Sequence, residues 1–216
     1  MIGRKAQAKK VVAGLRRLYP EAHCELDFKD PLELIVATIL SAQCTDKRVN
    51  VITKALFKRY RTARDYAGAD AAELEGLIRS AGFFRAKAKS IQEMARTLVS
   101  DFGGQVPREM DQLLRLRGVA RKTANVVLGT AYGKAEGIVV DTHMKRVAGR
   151  LGLTDQEDPV KVERDLMAAV PRKDWIFFGH AMVWHGRRLC KAAAPDCPVC
   201  PLNADCPKHG SMFTAF

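Results

Sequence analysis

The sequence predicts an all-α fold on three grounds. Apolar residues recur at helical spacing along nearly every segment, several of these segments open on capping signals, and the only β-like run, Ile138-Val139-Val140, is too short for a sheet. The first helix is basic and places Val11, Val12, Leu15, Leu18 and Tyr19 on one face. Asp30-Pro31-Leu32-Glu33 supplies an N-cap, a proline at the first helical position and a capping-box glutamate, and so opens the apolar helix LELIVATILSA. Gln43-Cys44-Thr45-Asp46 ends that helix, and a third follows with Val49, Ile52, Leu56, Phe57 and Tyr60. A fourth begins at the box Asp70-Ala71-Ala72-Glu73 and stops at Gly82; a fifth carries Ile91, Met94, Leu98 and Phe102 and ends at Gly103-Gly104.

Beyond it lie two helical stretches flanking Arg117-Gly118-Val119-Ala120-Arg121, then a glycine-bounded loop and the short apolar run that ends at Asp141. Asp158-Pro159 caps a helix with Val162, Leu166, Ala169 and Val170 on one face, and Trp175, Phe178, Met182 and Leu189 line the last long helix. With no internal repeat or low-complexity segment, the expectation is a body of about ten helices in two lobes.

Charge narrows the partner. Lys and Arg outnumber Asp and Glu by 36 to 24, a formal +12, which favours a polyanion through counterion release. No stretch has the roughly 20 apolar residues of a membrane span, and the N-terminus lacks the apolar core and cleavage site of a secretory signal. The expectation is a cytoplasmic monomer, nucleoid-associated if bacterial, with no membrane partner.

Cys190, Cys197, Cys200 and Cys206 are spaced C-x6-C-x2-C-x5-C, while Cys24 and Cys44 stand alone. That crowding suits a metal centre rather than a disulfide framework. Four thiolates serve zinc or an iron-sulfur cluster equally well, so spacing leaves the metal open. With every protein position filled by cysteine, the centre would hold the proline-rich C-terminal loop in shape rather than bind substrate. Lys191, in that loop, and Arg187, just upstream, are candidates for reaching phosphate.

Leu114 to Leu128 reads as helix, tight turn and helix, with Gly118 in the turn and Arg121 and Lys122 at the start of the second helix. Amide groups at such a start bind a phosphate without reading a base. Lys122 sits where the helix dipole and neighbouring Arg121 disfavour a protonated ammonium, which suits a nucleophile. Val139-Val140-Asp141-Thr142-His143 delivers a carboxylate to the start of the next helix, as a fixed acid or as a simple N-cap.

The hairpin with its lysine, VDTH about twenty residues on, and the cysteine pattern, in that order, resemble the endonuclease III family of helix-hairpin-helix DNA glycosylases and abasic-site lyases. The likeness runs from about Leu15 to Cys206 and includes Leu40-Ser41-Ala42-Gln43, Thr45-Asp46 and His185-Gly186-Arg187. It implies a six-helix barrel over 24–134 bearing the hairpin, and a [4Fe-4S] cluster domain formed by 1–23 and 135–216, with damaged duplex DNA across the cleft. It implies excision of oxidised pyrimidines from a flipped nucleotide, with Lys122 as nucleophile, Asp141 as catalytic aspartate, and strand cleavage by β-elimination. Gln43 matches the residue that fills the space left by the flipped nucleotide, and Asp46 and His143 are candidates for the substrate pocket.

Two departures from the family pattern stand out. Its usual Pro-Gly-Val-Gly turn is Arg117-Gly118-Val119-Ala120 here, and a left-handed backbone at position 120 would cost alanine on the order of 1 kcal/mol and weaken DNA binding. Phe83-Phe84-Arg85 replaces the common Leu-Tyr-Asn, making Phe83 either the wedge driven into the duplex or a core contact. Adenine and thymine mismatch glycosylases share much of the pattern but generally lack the lysine. A non-catalytic DNA-binding module would explain the charge, hairpin and cysteines and leave Lys122 and Asp141 unexplained.

Overall fold

The computed structural model describes residues 3–207, and every regular element among them is helical. The chain divides into two compact units, one being Glu25–Glu136 and the other the N-terminal segment through Cys24 with the chain from Gly137 onward. Of the span expected for the cluster domain, residues 1–2 and 208–216 lie outside the described residues.

In the Glu25–Glu136 unit, α2 (Pro31–Leu40) is the central helix. Every residue from Leu34 to Leu40 is buried, as a helix apolar on all sides requires. It packs against α3 (Asp46–Arg59), α6 (Phe84–Asp101) and α8 (Arg121–Tyr132). Asp30 caps α2 by accepting the Glu33 amide at 2.9 Å, but the Glu33 carboxylate accepts from the Lys29 amide at 2.7 Å instead of closing the expected box. The box expected at Asp70 is likewise half-formed. Asp70 caps α5 (Ala71–Ile78), while Glu73 turns outward to pair with Arg59 at 2.6 Å. A complete box forms at Thr62 and Asp65, opening α4 (Ala63–Ala67), a five-residue helix too short for periodicity to disclose. It packs on α6.

The hairpin consists of α7 (Met110–Leu114), a turn and α8. Gly118 makes the turn possible: its φ is +78°, and a Cβ there would lie 3.0 Å from Ser90 Cβ on α6. Ala124, Val127 and Leu128 are the buried face of α8, so its first turn points outward.

In the other unit, α1 (Arg4–Leu18) packs on α10 (Pro159–Ala169) and α11 (Trp175–Arg188), and α11 also packs on α9 (Thr142–Arg150). The run Ile138-Val139-Val140 is non-helical and pairs with no strand among the described residues. The loop from Cys190 to Cys206 docks on α1 through Leu202, which is 1% exposed. Gly14 provides the space, since a Cβ there would fall 2.2 Å from Leu202 Cδ2. Gln7 adds a polar clamp, its Nε2 donating to Leu151 O at 3.0 Å and Asp205 O at 2.6 Å.

Alanine is ordinarily favoured over glycine inside a helix by about 1 kcal/mol. Gly14→Ala should nevertheless lower stability by roughly 1–2 kcal/mol, because Leu202 is displaced from a packed seat. Urea unfolding measures this, and a gain in stability would contradict the docking.

Candidate active site

Lys122 is the second residue of α8 and is exposed. Ala120, the N-cap, lies at φ −88° and ψ 172° and offers no side-chain cap, so the helix opens with its N-terminal amides uncovered by a capping group. The extended backbone also corrects an expectation. Position 120 does not require a left-handed conformation, so the alanine carries no backbone penalty; Gly118 alone in this turn has positive φ. Arg121 is exposed beside Lys122.

Gln43 and Phe83 are the two non-glycine residues with positive φ among the described residues, at 52° and 47°. Such conformations cost an L-residue about 1 kcal/mol or more and collect at functional sites. Both are exposed, Phe83 at 69%, which removes the core-contact reading of Phe83. Gln43 lies just beyond α2, and Phe83 is the N-cap of α6. Asp46 opens α3 and is half-buried.

The second group of residues belongs to the other unit. Asp141 is the N-cap of α9, its Oδ1 accepting the Met144 amide at 2.7 Å. The side chain is therefore fixed and half-buried at the positive end of the helix. His143 follows it, its Nδ1 3.2 Å from Arg146 Nη2. Burial, followed by the neighbouring Arg150, pushes the Arg146 guanidinium below its ordinary pKa, yet it binds Gly186 O at 2.9 Å and Cys190 O at 3.0 Å.

The four C-terminal cysteines are half-buried and form no disulfide. Arg150 Nη1 lies 3.4 Å from Cys190 Sγ, and the same side chain binds Lys191 O at 2.6 Å and Ala192 O at 2.9 Å. His185, only 1% exposed, has Nε2 3.8 Å from Cys200 Sγ and Nδ1 3.2 Å from the Tyr19 hydroxyl. Burial pushes its pKa down to about 4, so it faces the thiols as neutral imidazole. The Cys200 thiol is pushed up by burial first, and then by the other three cysteines, which surround it closely enough to interact electrostatically. Among the described residues no three His, Cys, Asp or Glu side chains meet around a single ion.

The two expected phosphate contacts in this region are both exposed, Arg187 at the end of α11 and Lys191 in the loop, where it pairs with Asp196 at 2.9 Å. Sequence reasoning passed over Lys87, Arg146 and Arg150, and took His185 only as part of a matching motif. Their partners are mostly backbone carbonyls, with a sulfur or a hydroxyl far off in the chain, and these leave no linear signal.

Residues 36–172 match the HhH-GPD superfamily of base excision DNA repair proteins. The class is thus a helix-hairpin-helix repair protein. Endonuclease III of Synechocystis sp. is 52% identical over 207 residues, covering 96% of this chain and 94% of that protein. A solved non-covalent endonuclease III-DNA complex superposes with a TM-score of 0.92 at 44% identity, covering 98% of each chain. An endonuclease III trapped as a covalent intermediate with DNA also gives 0.92, at 43% identity over 98% of this chain and 99% of that one. The chain belongs to the endonuclease III family, and it is a bifunctional base excision repair enzyme, glycosylase and lyase, whose partner is DNA.

The capping role of Asp141 can be tested by itself. Asparagine caps a helix about as well as aspartate, so Asp141→Asn should stay within about 0.5 kcal/mol of the parent and Asp141→Ala should lose about 1 kcal/mol. Denaturant unfolding of both variants checks this; equal losses would mean that the cap contributes nothing.

Proposed function

We propose that Lys122 and Asp141 carry out the glycosylase and lyase steps, and that oxidised pyrimidines in duplex DNA are the substrates. The observation that carries this reading is the placement of Lys122, an exposed side chain whose backbone is held by a packed helix just after the Gly118 turn. The uncapped start of α8 supports phosphate contact there, with Gly118, Ala120 and Arg121 lining the turn and Arg187 as a further cationic contact. Gln43 and Phe83 would enter the duplex when the damaged nucleotide is flipped out.

In this mechanism the neutral Lys122 amine attacks C1′ while the glycosidic bond breaks. The base leaves with the bonding electrons and takes up a proton. Asp141 stabilises the positive charge that develops at C1′ and accepts the proton released from the amine nitrogen, passing it to the sugar oxygen as the ring opens. Loss of a C2′ proton from the resulting iminium expels the 3′ phosphate with the C3′–O electrons. Hydrolysis of the imine then returns the lysine. Asp46 and His143 remain the candidates for contact with the flipped base.

Cys190, Cys197, Cys200 and Cys206 would hold a [4Fe-4S] cluster. The donor set fits: four half-buried thiols, with the Arg150 guanidinium and neutral His185 beside the sulfurs. Cysteines that each bind a different iron need not meet at one ion. The cluster supplies a covalent cross-link for a loop with little apolar surface. We further assign the hairpin barrel to the Glu25–Glu136 unit, the cluster domain to the other, and a monomeric state in the cytoplasm beside the chromosome.

Incubation with duplex DNA carrying one thymine glycol tests the chemistry. The parent should release the base and cut the strand, and Lys122→Gln should lower both by at least about a thousandfold while Asp141→Asn lowers them by about a hundredfold or more. A fully active Lys122→Gln would remove the proposal. For the metal, the purified protein should be brown with broad visible absorption and contain four irons per chain, and Cys200→Ser should bleach readily; stoichiometric zinc and no colour would refute the cluster.

A further inference from the structure

Lys87 lies in the first turn of α6, is only 6% exposed, and plays no part in the proposed chemistry. Its Nζ donates to Leu40 O at 2.8 Å and to Ala81 O at 2.9 Å, and among the described residues no carboxylate pairs with it. Burial lowers its pKa, an effect partly opposed by nearby Cys44. An ammonium without a counterion is costly to bury, and two backbone carbonyls only partly replace its water.

The positions of those carbonyls are informative. Leu40 is the last residue of α2, three before Gln43, and Ala81 ends the 3-10 turn Arg79–Ala81, two before Phe83. The Lys87 amide itself donates to Phe83 O at 3.1 Å. One residue therefore grips both segments that hold the strained, exposed side chains Gln43 and Phe83. Among the described residues neither segment has another anchor of this kind: the α2 exit is otherwise held by local bonds such as Cys44 N to Ser41 O at 3.1 Å, and Gly82 at φ 70° leaves the second hinge permissive.

We propose that Lys87 is a positioning residue that joins the end of α2 to the start of α6, so that Gln43 and Phe83 enter the duplex as one preorganised pair. This rests on the reading above that both side chains enter DNA. Without the ammonium, the two carbonyls lose their shared partner, each loop relaxes independently, and duplex opening loses its preorganised element. Reaction at an abasic site already in single-stranded DNA needs no such opening.

The experiment compares the full-length, metal-loaded protein with Lys87→Met on two substrates carrying the same abasic site, one duplex and one single-stranded. Lys87→Met should lower kcat/KM on the duplex at least tenfold and change single-strand cleavage by less than twofold. With 2-aminopurine opposite the lesion, the rise in fluorescence on binding should shrink in the variant. A parallel loss on both substrates would reduce Lys87 to a stability element, and no loss on either would remove any role; each result overturns the proposal. The double variant Gln43→Ala/Phe83→Ala locates the failure. If it shows no duplex-specific loss, the reading of those two side chains is wrong; if it does and Lys87→Met does not, the joining role is wrong. Should Lys87→Met not fold, Lys87→Gln, which keeps a donor for one carbonyl, serves on the same substrates with the same expected duplex-specific loss.

Discussion

The packing of α8 on the buried α2 is the contact on which the exposed chemistry of the Glu25–Glu136 unit depends. Leu34, Ile35, Val36, Ile39 and Leu40 are all buried, each worth roughly 1.5–3 kcal/mol against exposure. With Ala124, Val127 and Leu128 buried, α8 cannot rotate without exposing apolar surface. Gly118 then sets the approach, because any side chain there would press on Ser90. The backbone of Lys122 is thereby held while its side chain stays exposed, which suits the nucleophile proposed above.

The other unit solves a different problem. Its cysteine loop has little apolar material beyond Leu202, and it is held by groups from distant parts of the chain: Gln7 and Gly14 on α1, Arg146 and Arg150 on α9. These arginines, like Arg4 with Asp155 and Arg16 with Asp174, use their charge inside the unit. Arg146 and Arg150, bound to carbonyls rather than carboxylates, are therefore counted in the net charge of +12 although the fold already uses them. Asp141, the proposed catalytic carboxylate, also serves the fold, and its cap at the head of α9 holds the carboxylate in place.

Much of this was legible in the sequence because it depends on local rules. Asp30, Asp70 and Asp158 cap the helices they were expected to cap, and the buried faces of α3, α6 and α10 follow their periodicity. Where local rules met a tertiary competitor, they failed: Glu73 leaves its capping box for Arg59, and Glu33 bonds one residue earlier than expected. The left-handed backbones of Gln43 and Phe83 carry no compositional mark, since neither residue favours that region. Ala120 shows the converse, a substitution that looked costly only under an assumed φ. Lys87 was invisible because its partners are carbonyls, which every residue has.

The central claim is that one particular amine among this chain's many lysines forms the covalent bond to DNA. Reduction of the enzyme-DNA intermediate with borohydride, followed by digestion and tandem mass spectrometry, identifies that amine directly. The account predicts the reduced sugar remnant on Lys122 Nζ. A remnant carried by any other lysine or by the N-terminal amine, with Lys122 unmodified, would contradict it.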